Sequence, residues 1–117
     1  MDKNYYKRRI GSAIFYIENN LEKKLTLWEM ANAAMISKYH FHRIFKKETG
    51  YTPGHYTKQR RMQKAHETIA TNQQIEIQDI WTQLGYTSSS HFAKDFREHF
   101  GYNPSELKRN GDPTKKK

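Results

Sequence analysis

A segment of 17 residues occurs twice in this chain, and the duplication limits the possible folds more than any other feature. SKYHFHRIFKKETGYTP occupies residues 37–53, and SSSHFAKDFREHFGYNP occupies residues 88–104, which lie 51 positions later. Extended by one residue, the two copies share seven identities in eighteen positions. The shared residues are Ser, His, two Phe, Gly, Tyr and Pro, which are types that cap helices, fill cores and form turns. The chain is therefore expected to contain the same small module twice.

Helical spacing of apolar residues runs along the whole chain, and no segment has the alternation of a strand. An apolar stripe predicts a first helix from about residue 4 to residue 20. Thr26 followed by Glu29 has the spacing of a capping box and predicts a short second helix. In these two helices, the residues expected to face the protein core are Ile10, Ala13, Ile14, Ile17, Leu21, Leu27, Met30, Ala31 and Ala34.

Each copy of the repeat predicts a tight turn followed by a longer helix. Ser37 is expected to cap the first of these helices, and Gly50 and Pro53 give the signals for its end and for the start of a linker helix of roughly 17 residues. In the second copy, Asn103 and Glu106 have capping-box spacing and predict one more helix. The residues expected to be buried from here on are Phe41, Ile44, Phe45, Tyr56, Met62, Ala65, Ile69, Ile77, Ile80, Trp81, Leu84, Phe92, Phe96 and Phe100.

The expected fold class is all-α. A short helix, a tight turn and a longer helix form the helix-turn-helix motif, whose second helix enters the major groove of DNA. Lys and Arg number 21 against 12 acidic residues, so the formal net charge is +9 and a polyanionic partner is expected. The repeat and the charge together favour a protein that binds double-stranded DNA.

The candidate base-reading side chains lie opposite the buried face of each longer helix. In the first copy, Tyr39, His42, Arg43 and Lys46 form one outward stripe. Arg43 suits a bidentate contact with guanine, and Lys46 is expected to bind phosphate. Adding 51 to each position gives Ser90, Ala93, Lys94 and Arg97, a set with less hydrogen-bonding capacity, in which Arg97 is expected to bind phosphate as Lys46 does. The residues expected at phosphates because they lie at helix starts are Ser37, Lys38, Ser88 and Ser89.

The residues quoted above resemble the DNA-binding region of the AraC/XylS family of bacterial transcription regulators, most closely its short MarA/SoxS/Rob-like members. The resemblance covers about residues 10–109 and rests on both repeat segments and on the linker pattern Tyr56, Arg61, Met62, Ala65 and Ile69. It implies seven helices, with two helix-turn-helix subdomains joined by a long linker helix, and a monomer that contacts RNA polymerase. The base-reading positions that it implies are Tyr39, His42, Arg43, Ser89, Ser90, Ala93 and Lys94.

The expected division of the chain is an N-terminal helix-turn-helix subdomain at 1–52, the linker helix at 53–72, a C-terminal subdomain at 73–109 and a disordered basic tail at 110–117. Two residues depart from the family pattern. Met35 stands where Gly is usual in the first turn, and Trp81 stands where a small residue is usual.

Several other classes of function are disfavoured. The chain has no Cys, and its His residues have no metal-binding spacing, so neither a metal site nor a cofactor is expected. No convergent acid, base or nucleophile indicates an enzyme. Neither a membrane-spanning segment nor a signal peptide is recognised, and a cytoplasmic location is expected. The alternatives left open are a module that binds RNA or single-stranded nucleic acid, and a protein-binding helical adaptor.

Overall fold

The computed structural model describes residues 4–111, and these residues form seven helices and no strand. The all-α class with seven helices is therefore confirmed. Residues 1–3 and most of the basic tail, 112–117, lie outside the described residues. The helices are α1 (Tyr5–Glu18), α2 (Leu27–Ala34), α3 (Lys38–Thr49), α4 (Pro53–Thr71), α5 (Ile77–Gln83), α6 (Ser89–Phe100) and α7 (Pro104–Asn110).

The chain divides into two compact units, residues 1–58 (the first unit) and residues 59–117 (the second unit). The division falls within α4, so this helix contributes to both units. Each unit contains one copy of the repeat.

The core of each unit is built around two phenylalanines of the repeat. Phe41 and Phe45 have no exposed surface, and in the second unit Phe92 and Phe96 are at most 1% exposed. Fully burying a side chain of this size contributes about 1.5–3 kcal/mol. The other core residues of the first unit are Ile10, Ala13, Ile17, Leu21, Met30, Ala31, Ala34 and Ile44, and those of the second are Met62, Ala65, Ile69, Ile80, Leu84 and Leu107.

Several residues expected in the core are only partly buried. They are Ile14, Leu27, Tyr56, Ile77, Trp81 and Phe100, all of which keep an intermediate exposure. These side chains lie at the borders of their apolar stripes. At a border, the helical pattern predicts which side of the helix faces the core but not how deeply each side chain is buried. Trp81, one of the two residues that depart from the family pattern, is thus accommodated at the edge of the core.

The capping box expected at Thr26 forms in one half only, because the Glu29 carboxylate accepts from the Tyr16 hydroxyl at 3.3 Å, and the box expected at Asn103 does not form. The Thr26 hydroxyl accepts a hydrogen bond from the backbone N–H of Glu29 at 3.1 Å, as expected for an N-cap. Asn103, in contrast, accepts no backbone hydrogen bond through its side chain. Its amide donates to the Glu106 carboxylate at 3.2 Å and its oxygen accepts from Arg97. The expected capping box is wrong there because Arg97 competes for the same oxygen.

The turns of the two repeats are closed by the same hydrogen-bond pattern. In the first turn, the N–H of Ile36 donates to Ala31 O at 3.1 Å and the N–H of Met35 donates to Asn32 O at 2.9 Å. In the second, the N–H of Tyr86 donates to Trp81 O and the N–H of Gly85 donates to Thr82 O. Both pairs form a Schellman motif, which requires a left-handed residue in the turn that follows the helix. That residue is Met35 in the first turn and Gly85 in the second.

Met35 therefore adopts a conformation that suits glycine. Its φ of 57° and ψ of 38° lie in the left-handed region, and its side chain is 73% exposed, so little packing compensates for the strain. A side chain in this region costs roughly 1–2 kcal/mol, part of which glycine would lose again in chain entropy.

Met35→Gly is expected to raise the free energy of unfolding by about 1 kcal/mol, because it removes the left-handed strain without removing a buried contact. Urea unfolding followed by circular dichroism measures the change. Gly50→Ala is the matched control. Gly50 has a φ of 85°, and the space that an added methyl group would fill is open, so this change should lower stability through the backbone alone. If Met35→Gly left the midpoint of the urea transition unchanged, the conclusion that the left-handed conformation of Met35 is strained would be wrong.

Candidate nucleic-acid interface

The helix α3 begins at a serine cap that sets its direction. The Ser37 hydroxyl accepts from the backbone N–H of His40 at 3.4 Å, and the same oxygen lies 3.0 Å from His40 Nδ1. Phe41, Ile44 and Phe45 are buried on one side of the helix. The opposite side must therefore face solvent.

The first recognition face, defined as Tyr39, His42, Arg43 and Lys46, occupies that side. All four residues are exposed, and Tyr39 keeps 88% of its surface. Within residues 4–111 none of the four side chains makes a hydrogen bond or an ion pair. An exposed aromatic ring and three nitrogen-bearing side chains on one helical face can therefore offer their polar groups to a ligand. The structure brings together the side chains that the sequence assigned to base reading in the first copy.

The helix α6 repeats this arrangement. The Ser88 hydroxyl accepts from the backbone N–H of His91 at 3.1 Å, and Phe92, Asp95 and Phe96 are buried. The second recognition face, defined as Ser90, Ala93, Lys94 and Arg97, lies on the other side together with Ser89.

The second recognition face has fewer uncommitted polar groups than the first. Ala93 is half-buried, and it offers only a methyl group. Lys94 Nζ lies 4.0 Å from a Glu98 carboxylate oxygen, and Arg97 Nη1 donates to Asn103 Oδ1 at 3.2 Å. Both cations are solvent-exposed, so these contacts are weak and a stronger anionic partner could replace them.

The residues assigned to phosphate binding, Ser37, Lys38, Lys46, Ser88 and Arg97, are all exposed. Ser88 uses its oxygen to accept from the helix backbone, which leaves its hydroxyl hydrogen to be donated elsewhere. The Ser37 hydroxyl accepts from the backbone in the same way and also contacts His40 Nδ1 at 3.0 Å.

A residue of α1 that the sequence did not indicate lies beside the first recognition face. Tyr6 lines a groove together with Arg43, Ile44, Lys47 and Glu48, and 37% of its surface is exposed. A long-range neighbour of this kind leaves no signal in the repeat, because α1 precedes the first copy and has no counterpart in the second.

A polar cluster around Asp95 is the second feature that the sequence did not indicate. The Tyr86 hydroxyl donates to Asp95 Oδ2 at 2.8 Å, and His91 Nε2 lies 3.5 Å from the same oxygen. Burial raises the pKa of Tyr86 above its ordinary value, and the hydrogen bond and charge of Asp95 raise it further, while Arg61 opposes the shift. Comparing the copies could have revealed the cluster, because Tyr86 and Asp95 stand where the first unit has Ile36 and Ile44.

The architecture of two such helices, each held by a short preceding helix and a tight turn, is that of a helix-turn-helix protein. A family described as a helix-turn-helix domain matches residues 30–110. The Transposon Tn10 TetD protein of Escherichia coli is 32% identical over 109 residues, which cover 93% of this chain and 78% of TetD. The HTH-type transcriptional activator AarP of Providencia stuartii is 31% identical over 96 residues, which cover 82% of this chain and 70% of AarP.

Solved structures agree with these sequence matches. A probable AraC family transcriptional regulator from Rhodopseudomonas palustris superposes with a TM-score of 0.76 at 26% identity, covering 91% of this chain and 99% of that one. The DNA-binding domain of AdpA, solved in complex with a target DNA, superposes with a TM-score of 0.79. At 19% identity, with 86% and 90% of the two chains covered, AdpA shares the fold alone.

The chain belongs to the AraC/XylS family of helix-turn-helix transcription regulators, which bind double-stranded DNA and are not enzymes. The resemblance carried by the repeated segments is thus confirmed. The chain spans 78% of one curated relative but only 36% of another. None of the helices described between residues 4 and 111 is long and apolar enough to cross a membrane.

Ser88→Ala is expected to destabilise the protein by about 1 kcal/mol, because it removes the acceptor that satisfies a free N–H at the start of α6. Urea unfolding measures the loss. Ser89→Ala, one position further into the helix, is the matched control and should change stability by less than about 0.5 kcal/mol. Equal effects of the two changes would contradict a capping role for Ser88.

Proposed function

We propose that this chain recognises an asymmetric site on duplex DNA as a monomer, by placing one recognition helix of each unit in the major groove. The observation that carries the proposal is the first recognition face, whose four side chains are exposed and uncommitted on one side of α3. A helix of this diameter fits the major groove, where each base pair shows a distinct pattern of donors and acceptors.

Each residue of the first recognition face has a role that follows from its chemistry. Arg43 can donate two hydrogen bonds to O6 and N7 of one guanine, and His42 can donate or accept at a base edge. Tyr39 offers its ring to a thymine methyl and its hydroxyl to an acceptor. Lys46 lies one turn further along, where a flexible cation serves phosphate better than a base.

The second unit is proposed to discriminate less among sequences. Ala93 can make only an apolar contact with a thymine methyl, and Ser90 is short. Lys94 and Arg97 must exchange Glu98 and Asn103 for DNA, which lowers the net gain from each contact. Ser89, Ser88, Ser37 and Lys38 are proposed to position the helices through phosphates.

The proposed site covers roughly 20 base pairs, because helix-turn-helix units read segments about one turn, or 34 Å, apart. Bending the duplex to reach both segments would cost on the order of 1–6 kcal/mol. A flexible TA or CA step between the two segments would lower that cost.

Contact with RNA polymerase is part of the proposal, so that the bound protein activates transcription in the bacterial cytoplasm. Its support is the family relationship and the description of AarP as a transcriptional activator. Because the first recognition face is assigned to DNA, the proposed contact with RNA polymerase must be made by other surfaces of the protein.

Arg43→Ala is expected to weaken binding to a selected duplex by about 1–3 kcal/mol and to relax the preference at one base position, because a bidentate contact is lost. Lys46→Ala is the matched control on the same face, and it should weaken selected and random duplexes alike. The site is first obtained by selecting bound oligonucleotides from a random pool, and affinities are then measured by fluorescence anisotropy. Equal loss on both duplexes for Arg43→Ala would remove its base-reading role.

Affinity for duplex DNA is expected to fall steeply with salt, because each neutralised phosphate releases a counterion. Titrations at several salt concentrations give the slope of log affinity against log salt, and Lys46→Ala should reduce its magnitude by about 1. Tighter capture of single-stranded homopolymers than of the selected duplex would favour an RNA-binding or single-strand-binding module. Binding that does not change with salt would favour a protein-binding adaptor.

A further inference from the structure

Asp95 occupies an unusual place, because it lies on the buried face of α6 between two core phenylalanines. Its exposure is only 8%, equal to that of Ile44, which holds the same position in the first unit. Burying a carboxylate is costly unless it is paired and hydrogen-bonded. An apolar residue would satisfy the packing of this site, as Ile44 does, so packing alone does not explain an aspartate.

Two partners of Asp95 connect it to other parts of the same motif. Tyr86 lies in the turn before α6 and donates to Asp95 Oδ2 at 2.8 Å. His91 lies one helical turn before Asp95, and its Nε2 is 3.5 Å from the same oxygen. The Tyr86 ring meets the rings of His91 and Phe92 edge-on, each at 5.3 Å between centroids. The turn and the first two turns of α6 are therefore joined by one polar cluster.

The residues at the equivalent positions of the first unit change together. The Schellman motifs pair Tyr86 with Ile36, and the repeat pairs Asp95 with Ile44. Two apolar residues thus stand in the first unit where a hydrogen-bonded pair stands in the second. A hydrogen bond has a preferred direction, whereas apolar contact is non-directional and tolerates small rotations of the helix.

We propose that Tyr86 and Asp95 are positioning residues that hold α6 at a set orientation to its turn and thereby determine how sharply the second unit reads DNA. The proposal rests on the proposed function. The segment of α6 between Tyr86 and Asp95 carries the proposed base-reading residues of the second unit, which are Ser89, Ser90, Ala93 and Lys94. A helix rotation beyond about 10–20° moves all of them out of productive geometry. The second recognition face has few strong donors, so its discrimination depends on accurate placement of short side chains.

The competing explanation is that the pair serves stability alone, as any well-packed core contact would. The two explanations differ for a double variant in which both polar groups are removed together. Tyr86→Phe with Asp95→Leu removes both members of this hydrogen bond together and keeps similar volume, and the exposed His91 can turn to solvent. Such replacements of buried polar pairs are often neutral or stabilising. If the pair served stability alone, a double variant as stable as the parent protein would also recognise DNA as the parent does.

The test compares the parent protein with this double variant. Affinities are measured for the selected duplex, for duplexes in which one half-site at a time is scrambled, and for random duplex. The double variant is expected to unfold at the same or a higher urea concentration, and its preference at the second half-site should fall roughly tenfold, about the cost of one mismatched base pair. Preference at the first half-site and affinity for random duplex should stay within about twofold. Unchanged preference at the second half-site would overturn the proposal.

Two further variants keep the test decisive if the double variant does not fold. Tyr86→Phe removes a single oxygen and should lower the preference at the second half-site, whereas Asp95→Asn keeps an acceptor for the Tyr86 hydroxyl and should retain most of it. The reverse order of these two effects would overturn the proposal. Ile44→Leu is the matched control in the first unit, and it should leave both preferences within about twofold.

The parent protein separates failure of this inference from failure of the proposed function. If the parent shows no preference for the selected duplex over random DNA, the proposed function fails and the positioning role falls with it. If the parent shows the preference and the Tyr86→Phe variant retains it at the second half-site, only the positioning role is wrong.

Discussion

Burial of two phenylalanines four residues apart is the interaction on which each unit depends. Phe41 and Phe45 in the first unit, and Phe92 and Phe96 in the second, fill the core and leave almost no exposed surface. Residues four apart lie on the same face of a helix, so burying both of them turns the opposite face toward solvent. The aromatic pairs therefore orient the side chains that are proposed to face DNA, although none of the four rings is itself proposed to touch DNA.

Duplication of the module has preserved the backbone and changed the chemistry on it. Serine caps, Schellman turns and a closing glycine recur in both units, because each satisfies or permits the same backbone geometry. The faces differ. The first carries Arg43 and His42 without intramolecular partners among the described residues, and the second carries Ala93 and cations that already contact Glu98 or Asn103. Under the proposed function, the first unit would supply the strong base contacts and the second would supply contacts that depend on placement.

Local signals predicted the local features well. The cap at Thr26, the serines that start α3 and α6, and the central core residues follow from short patterns whose physics acts within one or two helical turns. The failures arose where the outcome depended on contacts outside the local pattern. Arg97 takes the oxygen with which Asn103 was expected to cap α7, and the apolar pattern did not show that Trp81 lies at a core border. Tyr6 beside Arg43 left no trace in the repeat at all.

The sequence by itself determined the helical class, the repeated motif, the family and the outward direction of the candidate base-reading residues, because periodicity and capping depend on neighbours along the chain. The tertiary structure decided which polar groups are already engaged and which buried group is paired. Asp95 shows the difference: its position on an apolar face was evident from the repeat, but only the fold brings the Tyr86 hydroxyl within 2.8 Å. A buried charge is tolerated through partners supplied by the fold, and its sequence position alone does not name them.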